Sequence, residues 1–315
     1  LLVRFPASVC ATEVMEASMC GIVGLFLKDK ALEPRLGEML TDMLITMSDR
    51  GPDSAGIAVY GTDQDGFAKL TVQAADPATF AGLDHDLGCE IEEHVSMRVI
   101  DTHAVLELPE GKVAEARAAL KRIRPDMRVM SAGEVIEIYK EVGLPGDVAK
   151  RFDIPQLTGT HGIGHTRMAT ESAVTTLGAH PFSTGADQCL VHNGSLSNHN
   201  SLRRKLARQG VNVETENDTE VAAAYLTWKM QQGHSLGEAL ESGLEDLDGF
   251  YTFVVGTKDG FGVLRDPIAC KPAVMAETDQ YVAFGSEYRA LVNLPGIEDA
   301  RVWEPEPATV YFWKH

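Results

Sequence analysis

The sequence has no apolar run approaching the ~20 residues that a membrane-crossing helix needs, so no spanning helix and no membrane partner are expected. It is poor in cysteine: Cys10, Cys20, Cys89, Cys189 and Cys270 are the five in 315 residues. An odd, scattered set in a chain this long is not a disulfide framework, and no CxxC pair offers a zinc site. That usage points to the reducing cytoplasm. Basic residues are short as well, with 28 Lys and Arg against 46 Asp and Glu and a net charge of −18. Such a balance argues against nucleic acid and anionic membrane surfaces as partners. Internal repeats and low-complexity tracts are missing. What remains is 44% hydrophobic and 23% charged, enough for the core of one large domain or two modest ones. The first eighteen residues carry Arg4, Pro6, Glu13 and Glu16 and lack a sustained apolar core, unlike a secretory signal. Residues 1–19 read as a leader or propeptide, or as an extension from an upstream start.

The stretch around which the chain is organised is Met19-Cys20-Gly21-Ile22-Val23-Gly24-Leu25-Phe26. Once Met19 and everything before it are removed, Cys20 carries a thiol beside its own α-amine. That amine has an ordinary pKa of ~7.7–8.0. It is partly unprotonated at neutral pH, so it can take the thiol proton and return a proton to a leaving amine. Taken alone, the same stretch reads as a buried strand with a structural cysteine.

Downstream, residues 34–47 repeat apolar side chains at helical spacing, with methionines as core filler. Arg50-Gly51-Pro52-Asp53-Ser54-Ala55-Gly56 is a tight polar loop feeding a strand. Residues 61–96 read as loop-rich, and Asp84, His85 and Asp86 as a solvated acidic loop, not a metal cluster. A strand over 97–106, a helix over 110–124, a strand over 127–130 and a helix over 132–142 follow. Together they suggest an inserted α/β segment at about 61–160.

Candidate chemistry returns at Gly164-His165-Thr166-Arg167, where a short apolar strand ends on an Arg whose planar fork matches a carboxylate. In His192-Asn193-Gly194, an Asn side chain and a Gly backbone N–H are what an oxyanion site needs, although Asn-Gly is also the strongest hairpin-turn signal. In Asn217-Asp218-Thr219-Glu220, Asp218 or Thr219 reads either as a helix cap or, for Asp218, as the partner of a ligand ammonium. Helices over 197–207, 217–230 and 236–247 and strands over 249–256, 261–264, 281–285 and 309–313 complete the chain. His161, His165, His180 and His192 read as structural hydrogen-bonders, since the amine already supplies a base.

These blocks in this order, with Arg265-Asp266-Pro267, resemble the class II glutamine amidotransferases, the N-terminal-nucleophile branch. The resemblance implies an α+β fold: an αββα four-layer sandwich of two antiparallel sheets between helix layers. It covers most of residues 20–315, with the inserted segment poorly matched. It implies Cys20 as nucleophile, and Asn193 with the backbone N–H of Gly194 as the oxyanion pair. Arg167 is implied to clamp the α-carboxylate of L-glutamine and Asp218 to hold its α-ammonium. Arg50 is implied to fix the nucleophile end, and Thr170 to stand where the family contacts glutamine, followed here by Glu171 where some members carry His. No cofactor is implied for this chain. The implied partner is a separate flavin and iron–sulfur synthase subunit of a glutamate-synthase-like complex, N-methylglutamate synthase included, which would receive the ammonia. The competing readings are an N-terminal-nucleophile amide hydrolase acting alone on another substrate, and a non-catalytic glutamine-sensing subunit.

Overall fold

The structure is a computed structural model that describes residues 19–169 and 173–315. Gly21–Leu27 lies at the centre of a seven-stranded sheet. Its side chains alternate as a strand requires: Val23, Leu25 and Leu27 face one hydrophobic layer, and Ile22 and Phe26 the other. Both faces are covered, so the run reads as continuously apolar. Tyr281–Gly285 flanks it on one side and His161–Arg167 on the other; Ser54–Tyr60 and Ile136–Val142 follow beyond His161–Arg167. A second sheet of five strands runs in the order Thr309–Lys314, Gly260–Arg265, Gly249–Thr257, Gln188–Leu196, Phe182–Gly185. All pairings within both sheets are antiparallel.

The two sheets pack face to face through Ile22, Phe26, Ile163, Val191, Val254, Phe261 and Phe284. Outside the first sheet, helix Leu36–Ile45 buries Leu36, Met39, Leu40, Met43 and Leu44, the period read from the sequence. Outside the second, helices His199–Arg208, Asp218–Gln231 and Leu236–Asp246 cover Leu190, Tyr251 and Phe253. The result is the four-layer αββα sandwich. No helix among the described residues is long and apolar enough to cross a membrane.

The inserted segment has a different architecture from the β-α-β-α expectation. Strand Phe67–Gln73, helix Leu83–Ile91, strands Ser96–Ile100 and His103–Pro109, helix Val113–Ile123 and strand Arg128–Gly133 form a β-α-β-β-α-β unit. Its four-stranded antiparallel sheet has the last strand beside the first, and its helices bury Leu83, Leu87, Ala116 and Leu120 against Leu70, Val72 and Leu106. This is the ferredoxin-like split-βαβ arrangement. Residues 61–96 are therefore not mainly loop. The helix there is only nine residues and carries Asp84, Asp86 and Gly88, which hide its period. The single strand expected over 97–106 is a hairpin turning at Asp101, whose φ is +52°.

The segment expected as a helix over 132–142 is a turn followed by the strand Ile136–Val142, which joins the seven-stranded sheet, whereas Arg128–Gly133 before it belongs to the four-stranded one. Val135, Ile136 and Tyr139 satisfy a helical face, but Ile136 and Ile138 alternate with Glu137 and Tyr139, and Ser54–Tyr60 offers a strand partner along the whole length. The carboxylate of Asp187 fixes the turn by accepting the backbone N–H groups of Glu134, Val135 and Ile136 at 2.8, 2.9 and 3.1 Å. That partner lies some fifty residues away, beyond the reach of local pattern.

Candidate active site

Cys20 stands immediately before the first strand, half-buried, with its Sγ 3.9 Å from the Met168 carbonyl. Its own carbonyl accepts two hydrogen bonds, from Asn193 Nδ2 at 3.0 Å and Arg50 Nε at 3.2 Å. The Arg50 guanidinium is anchored in turn by Glu287. Arg50 thus stands behind Cys20 and grips its main chain; it does not line the cavity in front. Asn193 has a second amide N–H besides the one on Cys20, so the same side chain can hold Cys20 and donate to a ligand. Burial pushes the Cys20 thiol above its ordinary range, opposed by the nearby cations Arg167 and Lys271.

Gly194 follows Asn193 in the strand with φ at +146°, and a Cβ there would sit 1.9 Å from the Phe250 carbonyl oxygen. Only glycine fits. The Asn-Gly pair is therefore not a hairpin turn: the strand Gln188–Leu196 runs through it, in register with Gly249–Thr257.

Arg167 ends the strand His161–Arg167 and reaches the Ala173 carbonyl with Nη1 at 3.4 Å. The Arg50–Asp53 loop braces this strand end. Asp53 donates its backbone N–H to the Arg167 carbonyl at 3.1 Å, and its carboxylate accepts from Ala169 N at 2.8 Å. Gly51 packs so closely that a Cβ would lie 2.4 Å from the Thr166 carbonyl carbon, which explains the glycine in that loop. Thr170 lies outside the described residues.

Asn217, not Asp218 or Thr219, caps the helix Asp218–Gln231; its Oδ1 accepts from Thr219 N at 2.9 Å. That leaves the Asp218 carboxylate for other work. One oxygen accepts from Leu196 N at 2.9 Å, and the other lies 3.7 Å from His192 Nδ1. Thr219 Oγ1 joins His180 Nε2 at 2.7 Å to His192 Nδ1 at 3.0 Å, and His165 Nε2 donates to the His192 carbonyl at 3.1 Å. Burial lowers all three imidazoles, His165 to about 3. They are neutral hydrogen-bonders: His180 and His192 line the cavity, and His165 holds the His192 carbonyl.

Cys20, Arg167, Asn193, Gly194 and Asp218 line one open cavity of about 730 Å³, within the usual range for small-molecule sites. Its walls carry a cation, a carboxylate and a cluster of amide donors around one sulfur. The cavity also holds Lys271, which sequence reasoning missed. Arg265 donates to the Ala269 and Lys271 carbonyls at 2.8 and 2.9 Å, and Asp266 accepts from Ile268 N at 2.8 Å. This folded loop presents Lys271 inward. The only sequence signal was its position four residues after Arg265-Asp266-Pro267.

A family described as glutamine amidotransferase domain is matched over residues 165–293. The chain is 69% identical over 298 residues to the glutamine amidotransferase-like protein GlxB of Rhizobium meliloti, covering 94% of this chain and 99% of that protein. It is 33% identical to a putative glutamine amidotransferase of Methanothermobacter thermautotrophicus, covering 93% and 99%. Among solved structures, glutamine phosphoribosylpyrophosphate amidotransferase from B. subtilis superposes with a TM-score of 0.58 at 20% identity over 94% of this chain. This chain spans about half of that one, 47% of its length. By sequence and by fold, the chain belongs to the glutamine amidotransferase family, with the class II N-terminal-nucleophile architecture.

Proposed function

We propose that this chain hydrolyses L-glutamine to glutamate and ammonia through a thioester on Cys20. The convergence of Cys20, Asn193, Gly194, Arg167 and Asp218 on one cavity carries this reading. Free glutamine has one carboxylate, one ammonium and one neutral amide, and the cavity offers Arg167, Asp218 and the Asn193–Gly194 donors to match. With Cys20 as the first residue, its α-amine takes the thiol proton. Sulfur attacks the amide carbon, and the carbonyl electron pair moves to oxygen between the Asn193 amide and the Gly194 N–H. When that pair returns, the C–N bond breaks and the ammonium delivers its proton to the leaving nitrogen, giving ammonia. Water then cleaves the thioester by the same route. Donors aimed at the oxyanion act on the transition state and so on kcat, whereas Arg167 and Asp218 position the substrate.

The ammonia passes to a separate flavin and iron–sulfur synthase subunit, the partner that the resemblance to glutamate-synthase-like assemblies suggests. Glutamine-dependent ammonia release by protein beginning at Cys20 tests the first step. Loss of release in Cys20→Ala is expected, and undiminished release would contradict it. Co-purification of the tagged chain with a flavin-containing protein tests the second step. Recovery of the chain alone from cells making active synthase would contradict it.

A further inference from the structure

We propose that Lys271 is a positioning residue for the proton chemistry of Cys20, holding the amine–thiol pair in its deprotonated, reactive state near neutral pH. The inference rests on the glutaminase reading above but concerns a residue outside the glutamine-binding set. Lys271 Nζ lies 3.4 Å from Met19 Sδ, and Met19 is bonded to the Cys20 nitrogen. The ammonium also sits 5.2 Å from the centre of the Phe250 ring, whose backbone packs against Gly194. The lysine therefore lines the same cavity as Cys20, Asn193 and Gly194 and touches the residue whose removal frees the Cys20 α-amine. No carboxylate pairs with its ammonium among the described residues.

A fixed positive charge there acts on both members of the pair in one direction. It disfavours the protonated amine and favours the thiolate, so it lowers the pH at which the pair loses its first proton. The direction seen for the thiol agrees, since Lys271 is one of the cations opposing the effect of burial. The other charged and titratable groups around the site are Arg167 from the His161–Arg167 strand, Arg50 with Glu287 behind the Cys20 carbonyl, and Asp218 with His192 across the cavity. Glu214, Glu216, His180 and His199 stand at its wall. All of these are unchanged when Lys271 is replaced, so a comparison of variants isolates its contribution.

The test compares the pH profile of kcat/KM for glutamine in wild type, Lys271→Met and Lys271→Arg, each beginning at Cys20. Methionine keeps the length and the packing on Phe250 without the charge; arginine keeps the charge. The acidic limb is expected to move to higher pH by roughly one pH unit in Lys271→Met and to stay near wild type in Lys271→Arg. An unmoved limb in Lys271→Met, or an equal movement in both variants, would overturn the proposal.

The second readout needs no glutamine turnover: the pH dependence of iodoacetamide alkylation at Cys20, followed by peptide mass spectrometry because Cys89 and Cys270 are exposed. The alkylation midpoint is expected to rise in Lys271→Met, and Lys271→Gln serves if the methionine variant does not fold. A wild-type protein that releases no ammonia counts against the glutaminase reading. A wild-type protein that is active, with alkylation midpoints identical across the variants, counts against Lys271 alone.

Discussion

At the scale of single residues, the proposed reaction assigns binding and chemistry to different groups. On the proposed reading, removing the Arg167 fork by Arg167→Ala takes a charge-assisted contact from the substrate. Its KM for glutamine should rise roughly 10- to 100-fold with kcat less affected, as read from initial rates. Asn193→Ala removes the proposed oxyanion donor and one of the two bonds on the Cys20 carbonyl, and kcat should fall by about 10²–10³. If Asn193→Ala changed only KM, the oxyanion assignment would be wrong. Gly194→Ala forces a Cβ into the Phe250 carbonyl in a left-handed conformation. We expect it to lose more than the ~1–3 kcal/mol of ordinary overpacking in a denaturant titration.

Between elements, the inserted ferredoxin-like unit is tied to the main sheet through Glu137. This carboxylate lies on the Ile136–Val142 strand and is 9% exposed. It accepts from Lys69 at 2.9 Å and Arg98 at 2.7 Å, both on the insert, and from Tyr139 at 2.6 Å. Burial alone would raise its pKa, but Lys69 and Arg98 outweigh burial and hold it below the usual value. A carboxylate depressed in the folded state contributes stability that is present above its unfolded pKa and is lost as pH falls through the folded one. Glu137→Ala leaves Lys69 without that partner and should cost about 3 kcal/mol at pH 7, with the difference from wild type shrinking below pH 4.

This seam, like the Ile136–Val142 strand that carries it, was illegible in the sequence. Local period identified the helices Leu36–Ile45, His199–Arg208 and Leu236–Asp246, each of which buries one face with its own repeat, whereas the first strand showed as a continuous apolar run and Asp218–Gln231 by the polar cluster that opens it. The 132–142 segment also has a helical face, and only its distant partners Ser54–Tyr60 and Asp187 decide for strand. The site was legible where special residue types cluster: Cys20, the Arg50 loop, Arg167, Asn193-Gly194 and Asp218. Lys271 was not, since an isolated lysine has no pattern and its place in the cavity depends on a loop folded by Arg265 and Asp266.

Across the whole molecule, burial of bases shapes the response to pH. Lys140 is 4% exposed and donates to the Ala179 and Pro181 carbonyls at 2.8 and 3.1 Å, in the segment that leads from the cavity into the second sheet. Burial lowers it to about 7. Between that value and the ordinary ~10.4 the unfolded chain binds the extra proton, so this group makes stability rise with pH through that window. The unfolding free energy of Lys140→Met should therefore depend less steeply on pH between 7 and 10 than that of wild type; parallel curves would contradict this.

His103, His161 and His165, lowered by burial to about 3, follow the same sign at lower pH. They are neutral when folded, so stability should fall as pH drops from about 6.5 toward 3.

The account as a whole rests on the sulfur and the nitrogen of Cys20 belonging to a free chain end. The most direct measurement is intact and peptide mass spectrometry after treatment of active protein with a diazo-ketone analogue of glutamine. A single adduct on Cys20, with no residue attached to its nitrogen, is the predicted result. An active protein that still carries Met19 on Cys20, or that takes the label at another residue, would contradict it.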